Sequence, residues 1–201
     1  MEGPLLLFSK PDDNAIRRFL AAQQGQVFSY AELASSRTGV PPSGYNVDHN
    51  RIRLGEGPAA FERAVEGIRR WEMFRMPWIQ LCWHSASIEP GTTVAVLVSV
   101  PGAWSLNACR IVYGIDEARP QARFGFAYGT LPDHAEIGEE RFTVEMNDAD
   151  GSVWYDVLAF SRPGHLARLA YPYTRALQKR FARDSLAAMK AFVRGAAAGG
   201  G

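Results

Sequence analysis

The sequence predicts an α+β fold, a curved antiparallel sheet of about seven strands covered by one long C-terminal helix. Three observations carry this. Six strand-like runs follow one another between residues 78 and 160, separated by short turns such as Pro90-Gly91, Pro101-Gly102 and Asn147-Asp148-Ala149-Asp150-Gly151. Strands joined so closely pair antiparallel. One further strand and one helix precede them, and a long tract with an apolar stripe closes the chain. A sheet of that size must curl, and its one long amphipathic helix must cover the concave side.

The elements follow in order. Residues 11–24 read as a short helix, with Pro11 and Asp12 suited to a first turn and Ile16, Phe19 and Leu20 on one face. Thr38 to Gly44 is a loop by composition. Tyr45 to Leu54 is a strand of mixed pattern, with Val47, Ile52 and Leu54 among Asp48, His49, Arg51 and Arg53. Gly55-Glu56-Gly57 turns the chain and Pro58 opens a helix or helix pair reaching about Phe74, with Phe61, Ala64, Val65, Ile68 and Trp71 at helical spacing. The strands then read Trp78–Ile88, Thr92–Val100, Leu106–Ile115, 123–131, 138–146 and Ser152–Phe160. In 123–131, Phe124, Phe126 and Tyr128 share one face while Gly125, Ala127 and Gly129 take the other. In 138–146, Glu140, Phe142, Val144 and Met146 oppose Glu139, Arg141, Thr143 and Glu145. After Pro163-Gly164, Leu166, Leu169 and Ala170 begin a helical tract in which Pro172 starts a second segment or kinks the first. Tyr173, Leu177, Phe181, Ala188 and Phe192 hold one face to about Val193, a span of roughly 31 Å at 1.5 Å per residue. The expected organisation is an N-terminal helix-and-loop extension over 1–43, a main domain over 44–194, and a disordered Gly/Ala tail over 195–201.

Composition bounds the function. The 201 residues are 47% hydrophobic and 21% charged, the profile of a folded domain with a sizeable core. The formal charge of +1 argues against a dedicated nucleic-acid binder. That total divides unevenly: Arg162 to Arg194 carries +7 and residues 1–161 carry −6. A basic amphipathic helix of this kind meets anionic lipid headgroups or a nucleic acid, or else simply solvates its outer face while its stems cover the acidic remainder. Cys82 and Cys109 are too few for a disulfide framework, and no C-x-x-C is present, so two reduced thiols in a cytoplasmic protein are expected. Leu5 to Phe8 is too short for a signal-peptide core, and the longest uncharged stretch, Pro90 to Cys109, is broken by proline, glycine and asparagine.

Several strings together resemble a known family. They are Gly44-Tyr45-Asn46-Val47-Asp48-His49-Asn50-Arg51, Leu54-Gly55-Glu56-Gly57, Cys109-Arg110-Ile111-Val112-Tyr113, Phe124 to Leu131, Gly138-Glu139-Glu140-Arg141-Phe142, Val153-Trp154-Tyr155-Asp156, Phe160-Ser161-Arg162-Pro163 and Gln178 to Ser185. They are similar to the domain-of-unknown-function family numbered nineteen-ninety, found in bacteria and plants, over about Phe28 to Met189. Asp133 stands where that family often has glycine, and Phe28 to Ala34 matches loosely. The resemblance implies no activity and so no catalytic residues. The element order in turn resembles the helix-grip fold of START lipid-binding domains and the birch-pollen-allergen group, which implies a cavity between sheet and helix.

Candidate sites follow from these faces. His49 and Arg51 share a face of their strand, where an imidazole supplies an acid or base and a guanidinium binds an anion; the plainer reading is surface groups in hydrogen bonds. Glu140, among apolar neighbours, is expected to point inward, where it needs a partner or a proton. Asp133, His134 and Glu136 offer carboxylates beside a histidine, or a solvent-facing loop. Gly55-x-Gly57-x-x-Ala60 resembles a degenerate dinucleotide fingerprint, but no parallel strand follows and it reads as a turn and helix cap. Four histidines at 49, 84, 134 and 165 show no ligand spacing, so no metal site and no cofactor are expected. The expected function is binding of a small hydrophobic molecule by Tyr45, His49, Arg51, Tyr113, Phe126, Tyr128, Glu140, Trp154, Tyr173 and Phe181. The alternatives are a cyclase- or hydratase-like proton transfer by His49 and Glu140, or membrane or partner contact through the basic helix.

Overall fold

Alternating strands need two covered faces, and the computed structural model provides both. It describes residues 5–83, 85–118, 121–164 and 171–198. The elements are β1 (Leu5–Leu7), α1 (Asp13–Gln23), a 3-10 turn (Ser35–Thr38), β2 (Asn46–Glu56), α2 (Pro58–Arg69), a second 3-10 turn (Glu72–Phe74), β3 (Ile79–Cys82), β4 (Thr93–Val100), β5 (Ala103–Glu117), β6 (Ala122–Thr130), β7 (Glu136–Met146), β8 (Ser152–Pro163) and α3 (Tyr171–Ala198). The fold is α+β. The strand order is β2-β8-β7-β6-β5-β4-β3, every pair antiparallel, with β1 added beside the first half of β5. Register shifts at Arg53/Gly55 in β2 and Ile111/Tyr113 in β5 help the sheet to curl around α3.

Local chemistry sets the ends of the elements. Asp12 caps α1, its side chain accepting from the Ala15 N–H at 2.7 Å. Pro58 occupies the first turn of α2, where its missing N–H costs nothing. That helix stops at Arg69 because Trp71 takes a left-handed conformation, φ 55°. The expected strand Trp78–Ile88 shrinks to Ile79–Cys82 for a similar reason: Trp83 has φ 68°, which no strand tolerates. Pro172 lies in the first turn of α3, where it neither breaks nor kinks the helix. The expected helical residues Leu166, Leu169 and Ala170 and two of the histidines, His84 and His165, lie outside the described residues. α3 runs to Ala198, and residues 199–201 of the expected tail lie outside the described residues.

The sheet has a layer on each side. On the concave side Trp71, Phe74, Phe126, Phe142 and Tyr155 are fully buried with Met189 and Val193 of α3. Phe74 meets Phe142 at 5.8 Å and Phe181 at 5.2 Å between ring centres, and burial of each such ring contributes about 1.5–3 kcal/mol. α2 and the C-terminal half of α3 meet at Gly67, where an added Cβ would lie 3.0 Å from the Met189 methyl. On the convex side the N-terminal segment packs against β4–β8. Ile16 and Phe19 cover Leu97 and Leu106, and Tyr30 runs over Gly129 so closely that a Cβ there would fall 2.1 Å from its hydroxyl. The small residues on the outer face of β6 therefore admit another element of the chain.

Candidate functional site

Apolar packing fills only one end of the concave face. α2 and residues 185–193 of α3 occupy that end. The N-terminal half of α3 arches over the other, with no second helix beneath it among the described residues, leaving a cavity of about 400 Å³. Its walls include Val96 and Val98 of β4, Val157 and Ala159 of β8, Phe74, Trp78, and Leu177 and Phe181 of α3. That volume falls in the range of small-molecule sites.

Polar groups enter at defined points. Glu140 projects from β7, and its Oε2 accepts the Tyr128 hydroxyl at 2.8 Å. The surface it keeps opens into the cavity, so burial pushes its carboxyl up from 4.5 to about 7, with Tyr128's hydrogen bond opposing and the Asp48 charge adding to the rise. Glu136, at the start of β7, is likewise raised to about 7 by burial, against the pull of Arg175, Gln178 and Ser161. One of its oxygens is buried without a hydrogen-bond partner among the described residues. His134, raised from the β6–β7 turn, has burial pushing it down to about 4; its Nδ1 accepts the Glu136 N–H at 2.9 Å. Asp48 enters from β2 and is clamped by both terminal nitrogens of Arg175, one contact at 2.7 Å. Arg175 also donates to Gln178 at 2.8 Å, and Gln178 to Ser161 at 3.0 Å. The site thus pairs apolar walls with a carboxyl-bearing end.

The structure divides the residues expected to bind. Tyr128, Glu140, Tyr173 and Phe181 line the cavity. Phe126 faces the same side but is sealed in the core against Trp71, ring centres 4.6 Å apart. The other expected residues stand on the convex face. His49 bonds Asp156 at 2.7 Å with its side chain 56% exposed, and Arg51 bonds Glu145 at 3.0 Å while lying over Trp154. Tyr45 packs on Phe160, and the Tyr113 and Ser36 hydroxyls are hydrogen-bonded at 2.7 Å. The expectation that the His49–Arg51 face looks into a cavity is corrected: β2 turns Asp48 and Asn50 inward. The signal was present, because Ile52 and Leu54 face the core and counting back in twos reaches Asn50 and Asp48. The solvent-facing reading of the Asp133–Glu136 loop is also corrected, since His134 and Glu136 line the cavity.

The convex face carries its own polar network. Glu139, 2% exposed, accepts from Tyr30 at 2.7 Å, the Ala34 N–H at 2.8 Å, and both the N–H (3.0 Å) and hydroxyl of Ser36. Arg141 donates to the Ser36 carbonyl at 2.8 Å and to Asp156 at 2.9 Å. These groups hold the N-terminal segment down. Among the described residues, no set of three His, Cys, Asp or Glu side chains is grouped to hold a metal, and no helix is long and apolar enough to cross a membrane.

Comparison with known proteins gives the family. The model described as Domain of unknown function (DUF1990) matches residues 29–188, which includes β2 to β8 and the part of α3 over the cavity. A UPF0548 protein of Deinococcus radiodurans is 38% identical over 192 residues, 89% of this chain and 94% of the relative. A UPF0548 protein of Dictyostelium discoideum is 34% identical over 199 residues, 90% of this chain and 92% of the relative. Among solved structures, Ara h 8.0201 matches with a TM-score of 0.48 and 19% identity, covering 76% of this chain and 99% of that one. With a family match over most of its length and relatives above 30% identity, the chain belongs to the DUF1990 family.

Proposed function

We propose that the protein holds a small, largely apolar molecule with one polar end in the cavity beneath α3. One observation carries this reading: an apolar cavity of about 400 Å³ whose polar groups gather around Glu140, Glu136 and His134. Burial of the ligand's apolar surface drives binding, and the carboxyl-bearing end orients it. Two unpaired buried thiols, Cys82 and Cys109, support a cytoplasmic protein. The test is fluorescence titration with the neutral apolar dye Nile red, beside native mass spectrometry of the gently purified protein. Saturable dye binding, abolished when Ala182→Phe fills the space beneath α3, is the expected result. Neither saturable binding nor a retained small molecule in the wild type would end the proposal.

A second reading is favoured by Glu140 itself. A cavity-facing carboxyl with a pKa of about 7 is matched to proton transfer at neutral pH. Its expected partner His49 is on the other face, so Tyr128 is the group beside it. Deuterium exchange into a retained ligand, faster in wild type than in Glu140→Gln, is the expected sign; equal rates dismiss it.

A further inference from the structure

The chemistry of the cavity's polar end restricts what it accepts, given that it binds a ligand as proposed above. Asp48, Glu136, Glu139 and Glu140 line the space, Glu139 with its carboxylate held by Tyr30, Ala34 and Ser36, and no lysine or arginine does among the described residues. Among the described residues, the arginines near the cavity are committed elsewhere. Arg175 spends both terminal nitrogens on Asp48 and one of them also on Gln178. Arg180 lies over Trp78 and pairs with Asp184, Arg183 pairs with Asp184, and Arg162 lies over Tyr45. His134 bonds the Glu136 backbone through Nδ1, and burial pushes it down to about 4, so it brings no full positive charge at neutral pH.

The acceptors, by contrast, are left unfilled. Glu140 is part-buried with its open side toward the cavity, and among the described residues only one of its oxygens receives a hydrogen bond, from Tyr128. Glu136 keeps an oxygen buried without a described partner. The two acids stand four positions apart on β7, so strand alternation sends both to the same side. Apolar walls surround them.

We infer that the cavity selects amphipathic bases, molecules with an apolar body and one protonated amine that pairs with Glu140, and rejects fatty acids and other organic anions of the same size. An ammonium supplies the donor that Glu140 lacks and forms a charge-assisted hydrogen bond in a water-poor space. Above about pH 7 a ligand carboxylate would meet Glu136 and Glu140 as like charges, and among the described residues no lysine or arginine lines the cavity to offset them. The titratable and charged groups around Glu140 among the described residues are Tyr128 on β6, Cys109 on β5, Tyr155 on β8, Asp48 on β2, His134 in the β6–β7 turn, Glu136 and Glu139 on its own strand and Arg175 on α3. Of these, Glu136 and Glu140 are the ones burial brings near neutrality. Below about pH 7 an ammonium must displace a proton from Glu140 before pairing, so amine affinity rises about tenfold from pH 6 to pH 8.

The experiment uses the full chain with bound Nile red, displaced by dodecylamine, 1-dodecanol or dodecanoate below their micelle concentrations, at pH 6 and pH 8. Dodecylamine is expected to bind about tenfold or more tightly than dodecanol at pH 8, the scale of one charge-assisted hydrogen bond, with dodecanoate the weakest. In Glu140→Gln the amine should fall to within about threefold of the alcohol, the remainder being the Glu136 charge. Dodecanoate binding as tightly as the amine, or an amine preference unchanged in Glu140→Gln, overturns the inference while the cavity-binding proposal stands on the alcohol. If the variant does not fold, the wild type decides: amine affinity flat between pH 6 and pH 8 overturns it. If Nile red and all three probes fail to bind, the cavity-binding proposal falls and this inference with it.

Discussion

Glu140 carries a stability cost that pH reveals. Burial raises its carboxyl from 4.5 to about 7 in the folded protein. The folded state therefore holds this proton more tightly than the unfolded chain does, and stability falls as pH rises from the unfolded value through the folded one. At 1.36 kcal/mol per unit the full cost is about 3 kcal/mol, and the part developed between pH 5 and pH 8 is about 2–3 kcal/mol. Glu140→Gln removes the titration while keeping the side chain's size and an oxygen for Tyr128. Other acids titrate in the same range, Glu136 among them, so the informative quantity is the difference between wild type and variant at each pH. Urea denaturation at pH 5 and pH 8 measures it. The variant is expected to gain about 2–3 kcal/mol on the wild type between the two pH values, and to be the more stable protein at pH 8. A difference that does not change with pH would refute the placement of Glu140 in a water-poor cavity.

The convex face gives two more predictions. Gly129→Val drives Tyr30 off the sheet and takes one donor from buried Glu139, a loss of about 1–3 kcal/mol; limited proteolysis should then cut within residues 28–38 well before the sheet, and an unchanged digestion pattern would count against the close approach. Asp156→Ala leaves Arg141 charged and nearly buried, so thermal or urea unfolding should show a loss of about 3–5 kcal/mol, while Arg51→Ala on the exposed rim should cost under about 1 kcal/mol.

Much of the fold was legible because it rests on short-range patterns. The turns at Pro101-Gly102 and Asn147–Gly151 fall between paired strands, and the apolar stripe from Leu177 to Phe192 lies against the core. Glu140 was legible because Phe142 and Val144 lie on its face and reveal which side is inward. β2 was ambiguous, because exposed Val47 stands on the face opposite Ile52 and Leu54; the plainer reading of His49 and Arg51, as surface groups in hydrogen bonds, is the one that fits. What sequence could not reach was pairing over long separations. Asp48 meets Arg175, Glu139 meets Ser36, and Tyr30 crosses Gly129 only after the sheet has brought them together. His134 and Glu136 sit in a stretch whose composition marks a solvent-facing loop, yet that loop closes the end of the cavity.

Glu139 and Glu140 are consecutive residues with opposite fates. The first is gripped by four donors from the N-terminal segment on one side of the sheet, and the second offers an unfilled oxygen on the other. A peptide plane joins them and cannot twist freely. The N-terminal segment is therefore a splint set from outside. By immobilising one side of the β7 pleat it fixes the direction in which the next carboxyl points, so the cavity's acid is aimed by Tyr30, Ala34 and Ser36, none of which lines the cavity.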